Sequence, residues 1–222
     1  FNPLAEQRSD VISFTYPTKI THIKDNNGNL YPVSFKEDAY FATPTLEPMS
    51  YTRFKGIQEN TLSNQLIYQT DDKYILENDY IKVSITKEGT IYSIVNKEID
   101  KELLKEPIAY EFQKERPYLY PAWNMDWRDR KKQPILRLEK GEVSIVVNDA
   151  NMATIRITTR HNESVFLKDI SITHDSNLVS FKESIQWFEK GVSLKLAFSP
   201  NMTNPTTTYN WESDRVERGV NH

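Results

Sequence analysis

The chain has 222 residues, 38 % of them hydrophobic and 12 % aromatic, with a formal charge of −3 and a pI near 5.9. That aromatic share supplies a packed core and excludes a disordered chain, while the mildly acidic balance excludes the basic footprint of a nucleic-acid binder. There is no cysteine, which excludes disulfides, thiol nucleophiles and cysteine-held zinc, and no apolar run of about 18 residues that would span a bilayer.

The opening, "FNPLAEQRSD", has neither a basic n-region nor an apolar h-region and lacks an initiator Met. The expectation is a processed chain or an excised piece without a secretion signal. The absence of cysteine fits a reducing compartment, and the expected location is the cytoplasm. Asn26-Asn27-Gly28-Asn29 lies between "KITHIKD" and "LYPVSF", and an Asn-Gly pair supplies the positive φ angles of a tight hairpin. The polar stretch "GIQENTLSNQLIYQTDDK" marks a boundary near residues 56–74. It separates a small β-domain, 1–70, from a larger one, 71–222. The first is too small for a strong core of its own and is expected to lean on a neighbour.

Beyond the boundary the apolar period is two. "YIKVSIT" puts Ile81, Val83 and Ile85 on one face and Lys82 and Ser84 on the other, and Lys87-Glu88-Gly89 separates it from "TIYSIVN". Residues 98–106, "EIDKELLKE", fit a short helical turn or a hairpin extension. "TIRITTR" aligns Ile155 and Ile157. "VSFKESIQWF" aligns Val179, Phe181, Ile185 and Trp187 with Glu183 as an interruption, and after Lys190-Gly191 "VSLKLAFSP" aligns Val192, Leu194, Leu196 and Phe198. Such alternation means strands with one buried face. The prediction is an all-β chain, an antiparallel β-sandwich preceded by a small β-domain.

Motifs for chemistry are scarce. His22, His161, His174 and His222 are scattered, without a metal-clamp spacing. No G-x-S-x-G elbow, Walker loop or G-x-G-x-x-G occurs. What remains is "YPAWNMDWRD", Tyr120 to Asp129, where two tryptophans sit among carboxylates. Glycoside hydrolysis uses two flanking carboxylates, and Asp126 and Asp129 are candidates for such a pair. The alternative is a solvated charge run, with Arg128, Arg130, Lys131 and Lys132, beside two anchoring tryptophans. Arg116-Pro117-Tyr118 and Tyr120-Pro121 stiffen the segment, because Pro fixes φ and restricts the residue before it. Near the end, "TYNWESDRVERG" brings Tyr209, Trp211, Arg215 and Arg218 together, arginines suited to clamping a carboxylate or sugar hydroxyl or to an ordinary charged rim.

Taken in order, "FNPLAEQRSDVISF", "ILENDYIKVSITKEGTIYSIVNKEIDKELL", "FQKERPYLYPAWNMDW" and "LKLAFSPN…TYNWESDRVERGVNH" resemble the C-terminal, non-catalytic half of the α-mannosidases of glycoside hydrolase family 38, closest to the cytosolic class II type. The second segment is the most specific match. Asn124 and Pro121 stand where the family carries Asp, and Asp214 and Gly219 replace its Gly and Pro. The resemblance implies a linking β-domain followed by the first part of a β-supersandwich. It places catalysis, and a zinc or other divalent metal, on an N-terminal α/β domain followed by a helical domain, neither of which this chain matches. No catalytic or metal residue and no cofactor is then expected here. The resemblance makes Tyr118, Tyr120, Trp123 and Asp126 candidates for the rim of a mannoside pocket, and Arg218 another through the last motif. Their expected role is substrate orientation, not proton transfer. A stand-alone carbohydrate-binding module, or a structural domain forming a homo-oligomer, are the alternative readings.

Overall fold

The computed structural model describes residues 1–59, 65–120, 123–204, 206–211 and 214–219. The N-terminal part holds short strands: β1 (Arg8–Ser9), β2 (Ile12–Phe14), β3 (His22–Lys24), β4 (Leu30–Pro32), β5 (Ser34–Lys36), β6 (Ala39–Ala42), β7 (Thr45–Leu46) and β8 (Lys55–Ile57). They pair antiparallel as β1-β7, β2-β6-β5 and β4-β3-β8. The β3–β4 hairpin turns at the Asn-Gly pair, with Gly28 at φ 93° and Asp25 Oδ1 accepting from the amides of Asn27 and Asn29 at 2.9 and 2.8 Å. Ile20, Ile23, Tyr40 and Ala42 form a small core.

The larger part contains β9 (Ile67–Gln69), β10 (Lys73–Glu77), β11 (Ile81–Thr86), β12 (Ile91–Asn96), β13 (Lys101–Glu102), β14 (Leu104–Lys114), the four-residue helix α1 (Trp127–Arg130), β15 (Leu136–Leu138), β16 (Glu142–Asn148), β17 (Met152–His161), β18 (Ser164–Thr173), β19 (Ser180–Gln186), β20 (Val192–Pro200), β21 (Thr206–Trp211) and β22 (Asp214–Gly219). Three antiparallel sheets, β13-β12-β11-β10-β9, β15-β14-β20 and β16-β17-β18-β19, build the sandwich, and β21 and β22 form a hairpin. The expected boundary at residue 70 falls inside the turn of a hairpin, because β9 pairs with β10. Leu66 and Ile67 belong to the larger core, and residues 60–64 of the polar stretch lie outside the described residues.

The period-two rows explain the main core. Leu76, Ile81, Val83, Ile85, Ile91 and Ile94 of the five-stranded sheet meet Ile155, Ile157, Ile170 and Ile172 of the four-stranded sheet. Ser84, expected outward, is also buried. Residues 98–106 form a hairpin extension rather than a helical turn, since β13 pairs with β12. β14 bridges two cores: Leu104 and Ile108 face the first, Tyr110 and Phe112 the second, with Phe166. Lys190-Gly191 does not close a hairpin. β19 pairs with β18 and β20 with β14, so the turn carries the chain from one sheet to another. The expected buried rows of β19 and β20 fray accordingly: β19 ends its sheet, and Ile185 and Phe198 are exposed.

Polar side chains lock the two parts together. Ser34 Oγ donates to Asp149 Oδ1 at 2.7 Å, and Asn151 Nδ2 donates to Phe41 O at 3.1 Å. Asp169 accepts from Lys36 Nζ at 2.7 Å and from Arg156 Nε at 2.6 Å, while Arg156 also reaches Glu37 at 3.0 Å. Glu37 and Asp38, at the tip of the β5–β6 hairpin, both have positive φ, 49° and 65°. This is the two-residue turn that matches strand twist, made here without glycine.

Candidate functional site

β14 ends at Lys114 and β15 begins at Leu136, and the loop between them carries the aromatic motif. Its base is fixed from the core outward. Gln113 is fully buried, and its amide donates to Asp129 O at 2.5 Å and Lys132 O at 3.0 Å. Asp129 is buried beside it: one carboxylate oxygen accepts from Lys132 Nζ at 2.8 Å and the other from the Arg116 amide at 3.0 Å. The Lys132 ammonium and the Arg116 amide hold this carboxyl below the ordinary Asp range. Asp126 precedes α1 in extended conformation (φ −61°, ψ 138°) without capping it through its side chain. It accepts instead from the Tyr118 amide at 3.1 Å, tying the two arms of the loop together.

The tip turns at Tyr120, a non-glycine residue at φ 54°. Its carbonyl accepts from the amides of Trp123 and Asn124 at 2.9 and 3.0 Å, and Asn124 Nδ2 donates to Leu119 O at 3.2 Å. Asn124 thus contributes an amide donor that an Asp there would lack. With the backbone so held, the rings face solvent: Tyr118 is 86 %, Tyr120 66 %, Trp123 88 % and Trp127 65 % exposed. Lys131 Nζ lies 4.7 Å from the Trp127 ring centroid. The alternative in which the tryptophans anchor the loop by burial does not hold, since the anchors are Gln113, Asp126 and Asp129. Asp129 is held at both carboxylate oxygens, whereas Asp126 accepts one amide through one oxygen.

Tyr118, Tyr120, Trp123 and Asp126 therefore share one loop. Arg218 lies on β22 opposite Thr207; it is exposed, and no hydrogen bond or ion pair joins it to the loop among the described residues. Pro121 and the side chain of Trp211 lie outside the described residues. Among the described residues no group of three or more His, Asp or Glu side chains is placed to hold a metal ion. His22 is buried in β3, with Nδ1 3.0 Å from Thr21 Oγ1.

Sequence reasoning missed a second polar cluster, between β14, β18 and β19. The Tyr110 hydroxyl donates to Glu183 Oε2, and Lys168 Nζ sits 4.1 Å from the Tyr110 ring centroid and 3.7 Å from Glu183 Oε1. Burial pushes Lys168 down and Glu183 up. The charge at position 183 within an apolar row was the available signal: an inward carboxylate needs a buried partner.

Residues 76–222 match the family described as the glycosyl hydrolases family 38 C-terminal domain. The fold is similar to the crystal structure of a protein in glycosyl hydrolase family 38 from Enterococcus faecalis, with a TM-score of 0.64 and 12 % identity over 98 % of this chain. The chain spans 34 % of that protein's length. No curated protein matches the sequence.

Proposed function

The chain belongs to glycosyl hydrolase family 38 through its C-terminal domain, and on that premise we propose that it is the non-catalytic β portion of an α-mannosidase-like hydrolase. In this reading it buttresses a catalytic domain of the same polypeptide and lends the 116–130 loop to the rim of a saccharide pocket. The observation that carries the reading is the loop itself, with four solvent-facing aromatic side chains on a backbone pinned by buried Gln113 and Asp129. Exposed rings on a fixed support are pre-organised to receive an apolar sugar face, since little ordering remains to be done on binding. The engagement of both Asp129 oxygens favours positioning over proton transfer for this loop.

Hydrolysis with retention, and the zinc or other divalent ion that assists it, belong in this reading to the catalytic domain. Metal-assisted chemistry requires an open coordination site held by several ligands. The test is turnover of a nitrophenyl α-mannoside by the purified 222-residue chain: none is expected, and turnover above a buffer control contradicts the assignment. The exposed rings also support a second reading, a self-sufficient carbohydrate-binding module. Saturable binding of oligomannose by the chain alone, abolished in Trp123→Ala, would favour that one.

A further inference from the structure

At the base of the aromatic loop lies a recess of about 310 Å³ lined by Lys114, Arg116, Asp126, Arg128, Asp129 and Lys132. Its charges are unevenly used. Asp129 is fully engaged, with one oxygen on Lys132 Nζ at 2.8 Å and the other on the Arg116 amide at 3.0 Å. Asp126 accepts from the Tyr118 amide at 3.1 Å. Lys132 is thereby neutralised by Asp129. The side chains of Lys114, Arg116 and Arg128, in contrast, make no hydrogen bond or ion pair with any described residue. Some arginines elsewhere find partners, Arg137 with Glu106, Glu111 and Glu139 and Arg156 with Glu37 and Asp169, while exposed Arg160 and Arg218 likewise make no side-chain contact with a described residue.

Four cations and two carboxylates thus line one small concavity: Lys132 offsets Asp129, Asp126 keeps its own negative charge, and two positive charges stand in excess. Two guanidinium groups offer planar pairs of donors matched to oxyanions, and an ammonium adds a point charge. A monoanion would balance only one of these two charges. A doubly charged oxyanion relieves more of their mutual repulsion and uses more of their donors. We infer that this recess binds a dianionic oxyanion, phosphate or a phosphate monoester, between Lys114, Arg116 and Arg128. The inference does not depend on the saccharide reading, because the donors and the concavity are independent of the rings.

The test is titration of the ¹⁵N-labelled chain with inorganic phosphate, a sugar monophosphate and acetate at matched ionic strength. Saturable shifts confined to residues near 113–132 are expected for both phosphates and not for acetate. Arg116→Ala and Arg128→Ala should each weaken binding about three- to tenfold, the lower end reflecting their exposure. Binding of the monoester should tighten as the pH rises through about 6, where the second charge appears. Tighter binding of the sugar phosphate than of inorganic phosphate, with the difference lost in Trp127→Ala, identifies the anion as a saccharide substituent. Equal binding identifies a free anion, and either ordering supports the recess. No saturable shift, an equal response to acetate, or unchanged affinity in the arginine variants overturns the inference. Arg116→Ala keeps the amide that holds Asp129. Should it still misfold, Arg128→Glu, on the exposed side, decides the question, and abolished phosphate binding in a folded variant is expected. Failure of mannoside binding with phosphate binding intact would count against the saccharide reading alone.

Discussion

Replacing Asp169 by Asn tests the junction between the two parts of the chain. Its carboxylate receives Arg156 Nε at 2.6 Å and Nη2 at 2.9 Å, and Lys36 Nζ at 2.7 Å. The side chains of Asp169 and Lys36 are only 4 % and 9 % exposed. Asn keeps the shape but removes the charge and turns an N–H₂ toward two cations. Removing one member of a buried ion pair costs about 3–5 kcal/mol. Arg156 keeps Glu37 and is 32 % exposed, which trims the loss to about 2–4 kcal/mol. For a chain of this size that corresponds to a Tm about 5–12 °C lower. Burial alone would raise the Asp169 carboxyl, but Arg156 and Lys36 outweigh it and hold the group below the ordinary range. Its contribution is therefore complete above its unfolded value of about 3.9 and disappears as the pH falls through the folded pKa. Urea midpoints of wild type and D169N, measured from pH 7 to pH 3, should show a gap that narrows with acidification. Lys36→Met, which leaves both Arg156 bonds in place, should cost less, about 1–2 kcal/mol. A D169N midpoint equal to wild type at pH 7, or a gap that widens toward acid, would show that the junction does not depend on this carboxylate.

Two further substitutions test the sandwich by urea denaturation. Gly89 sits at φ 84°, and a Cβ there would meet the Gly141 carbonyl at 2.6 Å, whereas a Cβ on Gly28 (φ 93°) would meet only the end of Lys24 at 3.8 Å. Gly28→Ala should cost about 1–2 kcal/mol for the backbone conformation alone and Gly89→Ala clearly more; equal losses would mean that the backbone approach is not rigid. Phe166→Ala empties a fully buried site packed on Tyr110, Phe112 and Trp187 and should cost about 3–5 kcal/mol, with a loss below 1 kcal/mol showing that the second core collapses around it.

The rows at 81–85 and 155–157 were legible because their strands lie inside sheets that press face to face, so period two translates directly into burial. The row in β19 was legible only in part. Lys190-Gly191 has turn chemistry, but local turn chemistry does not say whether the next strand pairs with the last or crosses to another sheet. Glu183 was visible as an interruption, yet its partners Tyr110 and Lys168 lie on other strands and leave no mark near position 183. The aromatic loop was visible as composition. What could not be read was which side chains are buried: Gln113, an ordinary residue in sequence, holds the loop base, while the tryptophans face water. The motifs carry the family resemblance, whereas the anchoring through Asp126 and Asp129 exists only in the folded loop.

In the proposed function these rings position a saccharide without taking part in bond breaking. Steady-state hydrolysis of an α-mannoside by the polypeptide that contains this chain, with and without Trp123→Ala, tests it most directly. Loss of an exposed ring contact worth about 1–2 kcal/mol should raise KM roughly 5- to 30-fold with kcat nearly unchanged. Unchanged KM, or a fall in kcat at constant KM, would contradict it.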